Sequence, residues 1–322
     1  MRTRKLGKTG LQLTTIGVGT WAIAGGAWKF GWGRQDERQA VSGVVRGVEL
    51  GINWIDTAAV YGDGRSEELV GRALKQLGSS RRPIIATKCG RIVQPDGNVS
   101  GVLRRESIVA ECEASLRRLG IDCIDLYQMH WPDPDDQIEE GWSAMADLVQ
   151  QGKVRHIGVS NFSVDQMDRV RGIYEIASLQ PPYSMITAAA EKKLLPYCAE
   201  HRIGVVAYSP MCKGLLTGAF TRERAAALSA DDHRCRDPKF REPQLSRHLE
   251  LVDHLKSIAA EHNRTVAELA IAWVLRRPAV TSAIVGVRRP EQIDQTAGAG
   301  DWELPADVIA RIDQLLSSRE ST

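Results

Sequence analysis

The sequence predicts an α/β protein of the (β/α)8 TIM-barrel class, with an N-terminal β-hairpin and a long loop after the seventh strand. Three observations carry that expectation. Short apolar strands alternate strictly with amphipathic helical stretches, eight such strands can be counted, and polar residues able to do chemistry cluster at the strands' carboxyl ends, where barrel enzymes work. A chain of 322 residues holds one barrel of about 250 residues plus its loops. With no linker and no internal repeat, one domain over residues 1–322 is expected. An open doubly wound sheet shares the alternation and is the competing architecture.

The elements follow in order. Alternation around Gly7–Gly10 (GKTG) marks a short hairpin before a first barrel strand at Thr14–Thr20. Asp36 can cap a helix, with Gln39 reaching back and Ala40, Val41, Val44, Val45 and Val48 on one face; Gly51 stops it before the strand INWID, residues 52–56. Ser66 can cap a second helix with Glu67 and Glu68 in its first turn, burying Leu69, Val70, Ala73, Leu74 and Leu77 ahead of the strand PIIATK, residues 83–88. A third helix buries Ile108, Val109, Cys112, Leu116 and Leu119 and stops at Gly120 before IDCIDLYQ, residues 121–128. Four more strands are read at 154–160, 175–180, 203–209 and 281–286. Trp142 and Trp273 lie on amphipathic helices and read as core. The irregular stretch from about Ala219 to Leu245 is dense in arginine, and so long a loop inside a compact domain is usually functional or mobile.

Composition excludes several classes. A hydrophobic fraction of 43% and a charged fraction of 25% are those of a globular chain. The net charge of +2 and the absence of any basic run beyond pairs such as Arg81–Arg82 argue against nucleic acid as a partner. No apolar run approaches the ~18 residues of a membrane span, and the first residues lack a signal peptide's apolar core. The six cysteines show no CxxC pair and read as reduced thiols, which makes the cytoplasm the expected compartment. Composition does not set the oligomeric state.

Four residues fall at successive strand ends or just beyond them: Asp56, Tyr61, Lys88 and His130. Lys88 follows an apolar strand, where an ammonium must be paired or face a cleft, and Asp56 is its natural partner. On these two alone, a structural ion pair explains as much as a catalytic one. A phenol with a pKa near 10 is a poor acid or base at neutrality, and a neighbouring cation is expected to lower that value, so Lys88 is expected to tune Tyr61. His130 can hydrogen-bond a substrate oxygen or share its proton. Together the four describe a proton-transfer site.

These residues lie in IDTAAVYGDGRSEELVGRALK (55–75), ATKCG (86–90) and YQMHWPD (127–133), followed by GKVRHIGVSNF (152–162), YSPMCKGLLTG (208–218) and AIVGVRRPEQI (283–293). With those flanks and that order, the chain closely resembles the aldo-keto reductases over nearly its whole length. The resemblance implies carbonyl reduction with NADPH and no metal, with Asp56, Tyr61, Lys88 and His130 as the catalytic tetrad and Tyr61 as general acid. The hydride must come from a cofactor, because no side chain supplies one. The resemblance further places Thr20 and Trp21 beside the nicotinamide and counts Asp56 among the cofactor contacts. Ser160, Asn161 and Gln180 are expected to hydrogen-bond the carboxamide, and Tyr208 to stack on the ring.

Ser209, Pro210, Gly286 and Gln292 complete the expected contacts. Lys213 with the backbone amides of Gly214 and Leu215 suits a pyrophosphate, and Arg288, before a helix opened by Pro290, suits the 2′-phosphate. Two positions depart from the family's usual pattern: Val287 stands in place of alanine and Thr296 in place of asparagine. Because relatives of this fold include potassium channel β subunits, a cofactor-binding regulatory protein is the alternative function.

Trp28 and Trp32, with Phe30, cluster in the first loop, and Trp131 follows His130; these aromatics are expected to wall a substrate pocket for a small carbonyl. Three further readings are set aside. Gly17–Ala22 fits GxGxxA, but the glycine-rich, aromatic stretch after it does not read as the helix a Rossmann site needs. His233 and Cys235 lack the remaining ligands of a metal site. Glu67 as a hydrolase acid with Asp56 is explained better by helix-dipole stabilisation.

Overall fold

The computed structural model describes residues 1–26 and 28–320. Strands β3 (Ile16–Gly19), β4 (Trp54–Asp56), β5 (Ile84–Cys89), β8 (Ile124–Met129), β9 (Val154–Ser160), β10 (Ser178–Gln180), β11 (Gly204–Ala207) and β12 (Val280–Gly286) pair in parallel and close into an eight-stranded barrel. A hairpin of β1 (Thr3–Lys5) and β2 (Gln12–Thr14) precedes it, and a second hairpin of β6 (Arg91–Val93) and β7 (Val99–Gly101) leaves the end of β5. The closed ring excludes both the open sheet and the Rossmann reading: after β3 the chain makes a one-turn 3-10 helix, Trp21–Ala24, rather than a long helix.

Strand alternation of period two sorts the core into two layers. Trp54, Ala86, Leu126, Val206 and Ile284 point into the barrel and pack with Leu6 and Leu13 of the first hairpin, which closes the floor. Their neighbours Ile55, Ile85, Tyr127, Val205 and Val285 point outward into the larger core beneath the helices, where Trp142 and Trp273 are also buried. The Trp54 indole Nε1 donates to Thr14 O and Ser282 Oγ at 3.2 and 3.0 Å. Gly17 faces that indole, and a Cβ there would lie 2.1 Å from it. Gly17→Ala is therefore expected to destabilise the barrel by about 1–3 kcal/mol, the usual cost of overpacking. A lower urea midpoint at unchanged m-value checks this.

Local signals succeed and fail for identifiable reasons. Asp36 caps the helix Glu37–Glu49 by accepting from Gln39 N at 2.9 Å, but the reciprocal bond from the Gln39 side chain is not formed. The helix Arg65–Leu77 begins two residues earlier than expected, because left-handed Gly64 (φ 89°) turns the chain into it, and Ser66 is not its cap. The fully buried Ser66 hydroxyl instead lies 2.8 Å from Thr20 Oγ1 and 3.0 Å from Thr57 Oγ1, tying together the ends of β3 and β4. Glu67 is likewise more than a first-turn carboxylate. It is fully buried and accepts from Arg118 at 2.7 Å and from Thr87 Oγ1. The β6–β7 hairpin is not among the elements expected from the sequence; its turn carries Asp96-Gly97, with Gly97 at φ 79°, between paired Val93 and Val99. The stretch 219–245 holds short helical turns at Arg222–Ala226, His233–Arg236 and Pro238–Phe240 before a long helix begins at Gln244. Among the described residues no helix is long and apolar enough to cross a membrane.

Candidate active site

The inward parity that fills the barrel also delivers the site. Asp56 lies two residues beyond Trp54, Lys88 two beyond Ala86, Gln128 and His130 two and four beyond Leu126, and Tyr208 two beyond Val206. At the carboxyl ends Asp56, His130 and Tyr208 leave the apolar barrel interior and line a cavity of about 1440 Å³, while Lys88 and Gln128 stay buried beneath it. Tyr61 reaches the same cavity from the loop after β4, which folds back through positive-φ residues Gly62, Asp63 and Gly64.

Lys88, which is fully buried, donates from Nζ to Asp56 Oδ2 at 2.7 Å and to Thr57 O at 2.8 Å, and stands 3.4 Å from the Tyr61 hydroxyl. The other carboxylate oxygen of Asp56 accepts from Gln180 Nε2 at 2.8 Å. Both oxygens are thus satisfied, as a buried carboxylate requires. The Tyr61 and His130 rings meet edge to face with centroids 5.6 Å apart.

The electrostatics correct one expectation. Burial, reinforced by the negative charge of Asp56, holds the Tyr61 phenol well above its ordinary pKa, so the nearby ammonium does not bring it down. The phenol is therefore protonated at neutrality and equipped to donate. Burial also pulls the Lys88 ammonium below its usual value, with Asp56 opposing that pull. His130 is held well below its usual range by burial and then by the charges of Lys88 and Arg91, so its imidazole is neutral.

The residues expected at the cofactor's nicotinamide end line the cavity, but several are engaged with one another. Gln180 lines the cavity and turns its amide nitrogen to Asp56 and, at 3.3 Å, to Gln128 Oε1. Asn161 Nδ2 donates to His130 O and Ser160 Oγ, while Asn161 Oδ1 accepts from the Tyr208 hydroxyl at 2.9 Å. Tyr208 presents its ring to the cavity, and burial raises its phenol to about 12. Thr20 and Trp21 border the cavity beside β3, and Ser209, Pro210 and Gly286 line it farther on.

The phosphate end differs most from expectation. Gly214 lines the cavity with its N already donating to Met211 O, whereas Leu215 is fully buried and does not line it. Lys213 lines the cavity but pairs with Asp237 at 2.8 Å. Pro290 opens the helix Pro290–Asp294 as expected. Arg288, however, directs its guanidinium to the first loop: Nε donates to Gln35 Oε1 at 2.8 Å, Nη1 to Trp32 O at 3.0 Å and Nη2 to Arg34 O. Gln292 Oε1 accepts from Arg288 N, and Thr296 lines the same end. Arg34, Arg224, Arg234 and Arg289 also line the cavity, which gives it a strongly basic extremity.

The aromatic wall is assembled by the first loop and the segment after β11. Trp28 packs 6.2 Å from the Tyr61 ring, and Trp21 stacks on Tyr61 at 6.4 Å and meets Trp32 edge-on at 5.3 Å. His233 packs on Trp21 and Trp32 and bonds Gly31 O through Nδ1, which is its place in the fold. Arg234 stacks over Trp32 while pairing with Asp232 at 2.6 Å. Trp131 is exposed at the rim.

Sequence reasoning missed Gln128, Arg91 and the segment Asp232–Arg234. Parity along β8 points to Gln128, whose Nε2 is buried without a partner, and the Asp96-Gly97 turn points to the hairpin that carries Arg91. The cap formed by 232–234 had no local signal, because its contacts reach about two hundred residues back to the first loop.

Comparison with known proteins agrees with this geometry. The model of the Aldo/keto reductase family matches residues 15–317. Aldo-keto reductase YhdN of Bacillus subtilis is 38% identical over 99% of this chain and 94% of its own. The NADH-specific methylglyoxal reductase of Escherichia coli is 34% identical over 93% of both chains. The structure of glycerol dehydrogenase AKR11B4 from Gluconobacter oxydans superposes with a TM-score of 0.88 at 36% identity, covering 98% of this chain and 95% of that one. The chain belongs to the aldo-keto reductase family, and its class is that of oxidoreductases acting on carbonyls.

Proposed function

We propose that this chain reduces small aldehydes or ketones to alcohols with NADPH, with Tyr61 as the proton donor, and that it works as one domain. The observation that carries the reading is the convergence of a protonated Tyr61, neutral His130 and Asp56, paired with the buried Lys88, at a cavity that runs on to a basic end at Arg288. Nicotinamide dinucleotides fit this shape: Ser160, Asn161 and Gln180 would hold the carboxamide, Tyr208 would face the ring, and Lys213 with Arg288 would meet the phosphates. When bound, the cofactor supplies the hydride. The protein's part is to hold the carbonyl oxygen between Tyr61 Oη and the His130 imidazole, to deliver the phenolic proton, and to exclude water with Trp21, Trp28 and Trp32. Consumption of NADPH in the presence of a panel of short aldehydes and ketones tests the reading. Tight cofactor binding without turnover would favour the regulatory alternative.

Preference for NADPH over NADH rests on the basic end, and Arg288 is its best probe. In this structure Arg288 holds the first loop, so recognition of a 2′-phosphate requires it to exchange some of those bonds. Arg288→Ala is expected to weaken NADPH by about 1.5–3 kcal/mol, the range for hydrogen bonds to charged groups, and NADH much less. Titration of both cofactors checks this. Equal weakening would mean that Arg288 shapes the loop without reading the phosphate.

A further inference from the structure

We propose that Arg91 is a specificity-determining residue that selects small carbonyl substrates bearing an oxyanion, a carboxylate or a phosphate, near the reacting carbon. The proposal rests on the carbonyl-reducing reading above and adds the substrate's charge to it. Arg91 opens β6, just past the strand that ends with Lys88 and Cys89, and lines the cavity at the end that holds Tyr61, His130 and Trp131. Its side chain is only 16% exposed, and its guanidinium carbon lies over the Trp131 ring at 5.7 Å. That cation–π contact and the ion pair to Asp133 restrain the guanidinium, and a restrained fork loses less entropy when it grips a planar carboxylate.

The charge on Arg91 is compensated asymmetrically. Its partner Asp133, bound to Nη1 at 2.8 Å, is 62% exposed and does not line the cavity. A carboxylate in water is strongly screened, whereas the half-enclosed guanidinium is not, so the cavity side keeps a positive potential. His130 registers that field, because the charge of Arg91 is one of the causes that hold its imidazole neutral. Nη1 alone has a side-chain hydrogen bond among the described residues, which leaves Nε and Nη2 as donors for an anion. The acidic groups lining the cavity do not cancel this field: Asp56 is consumed by Lys88 and Gln180, while Asp36 and Glu291 flank the loop and helix at the Arg288 end. An oxyanion bound to Arg91 would sit over Trp131 while the carbonyl oxygen of the same small molecule lies between Tyr61 and His130.

The test compares matched substrate pairs with the holoenzyme: 4-oxobutanoate against butanal for carboxylate, and glyceraldehyde 3-phosphate against glyceraldehyde for phosphate. The wild type is expected to prefer the anionic member of at least one pair by about tenfold or more in kcat/KM, and that pair identifies the oxyanion. Arg91→Gln should collapse the ratio towards one, with Arg91→Lys intermediate because it keeps the charge and loses the fork. Asp133→Asn separates selection from structure. Removing the partner carboxylate should raise the anionic preference, whereas a merely structural ion pair would lose activity alike from either side. Butanoate binding to the NADP-loaded protein, by titration calorimetry, gives a readout independent of turnover: binding lost in Arg91→Gln supports the proposal even if no tested carbonyl is reduced. A wild-type preference for the neutral member of both pairs, or equal ratios in wild type and Arg91→Gln, overturns it.

Discussion

Tyr61→Phe is expected to reduce carbonyl turnover by at least ~10²-fold, the loss typical of removing a general acid, while leaving the fold and cofactor affinity nearly intact. The ring keeps its contacts with Trp21, Trp28 and His130, and Lys88 keeps its two short bonds to Asp56 and Thr57, losing only the 3.4 Å approach to the hydroxyl. The defect should therefore appear in kcat, with NADPH titrating as in wild type. The pH profile distinguishes Tyr61 from the other candidate donor. Because the phenol is held above its ordinary value of 10.0, it stays protonated and reduction should be level from about pH 6 to 9. If His130 were the donor, its depressed pKa would make the rate fall with rising pH below the usual 6.5. Ordinary turnover by folded Tyr61→Phe protein, or a wild-type rate that falls with rising pH below 6.5, would sink the assignment.

What the sequence made legible follows physical range. The barrel strands were readable because period-two and period-3.6 patterns are local, and the tetrad because each member stands at or near a strand's carboxyl end. Conflicts arose where a residue's partner is distant in the chain. Ser66 carries the marks of an N-cap, yet its hydroxyl is recruited by Thr20, forty-six residues away. Arg288 reads as a free anion ligand until the carbonyls of Trp32 and Arg34 take its donors across the barrel mouth. Tyr61 was expected to be acidified by Lys88, but pairing with Asp56 neutralises that cation, and only the folded enclosure reveals how strongly burial acts on the phenol. The Gln180 amide shows the same limit, since its choice of Asp56 over the cavity depends on three strands meeting.

Lys88→Met should abolish most activity and cost about 3–5 kcal/mol of stability, because removing one member of a buried pair strands the other. Asp56 would keep Gln180 as its remaining donor, at 2.8 Å, with its second oxygen facing an apolar thioether. Asp56→Asn should be milder in structure and informative in its pH dependence. Each Asp56 oxygen now faces a donor, Lys88 Nζ on one side and Gln180 Nε2 on the other, whereas an asparagine offers one acceptor and one donor. The mismatch can be relieved if Gln180 turns its Oε1 to the new amide and Gln128 turns in step, giving its buried, unpartnered Nε2 a carbonyl to meet. The Lys88 ammonium then loses its counter-charge, and burial, which already lowers its pKa, acts unopposed by Asp56. A lysine whose folded pKa lies below its unfolded value of about 10.5 binds fewer protons in the folded state, so stability must rise as pH climbs towards that value. Melting temperatures of Asp56→Asn should therefore increase from about pH 7 to 9.5 more steeply than those of wild type, whereas Lys88→Met should lose that dependence. Equal slopes in all three proteins, or near-normal turnover by Lys88→Met, would show that Lys88 is neither electrostatically coupled to Asp56 nor needed for proton delivery.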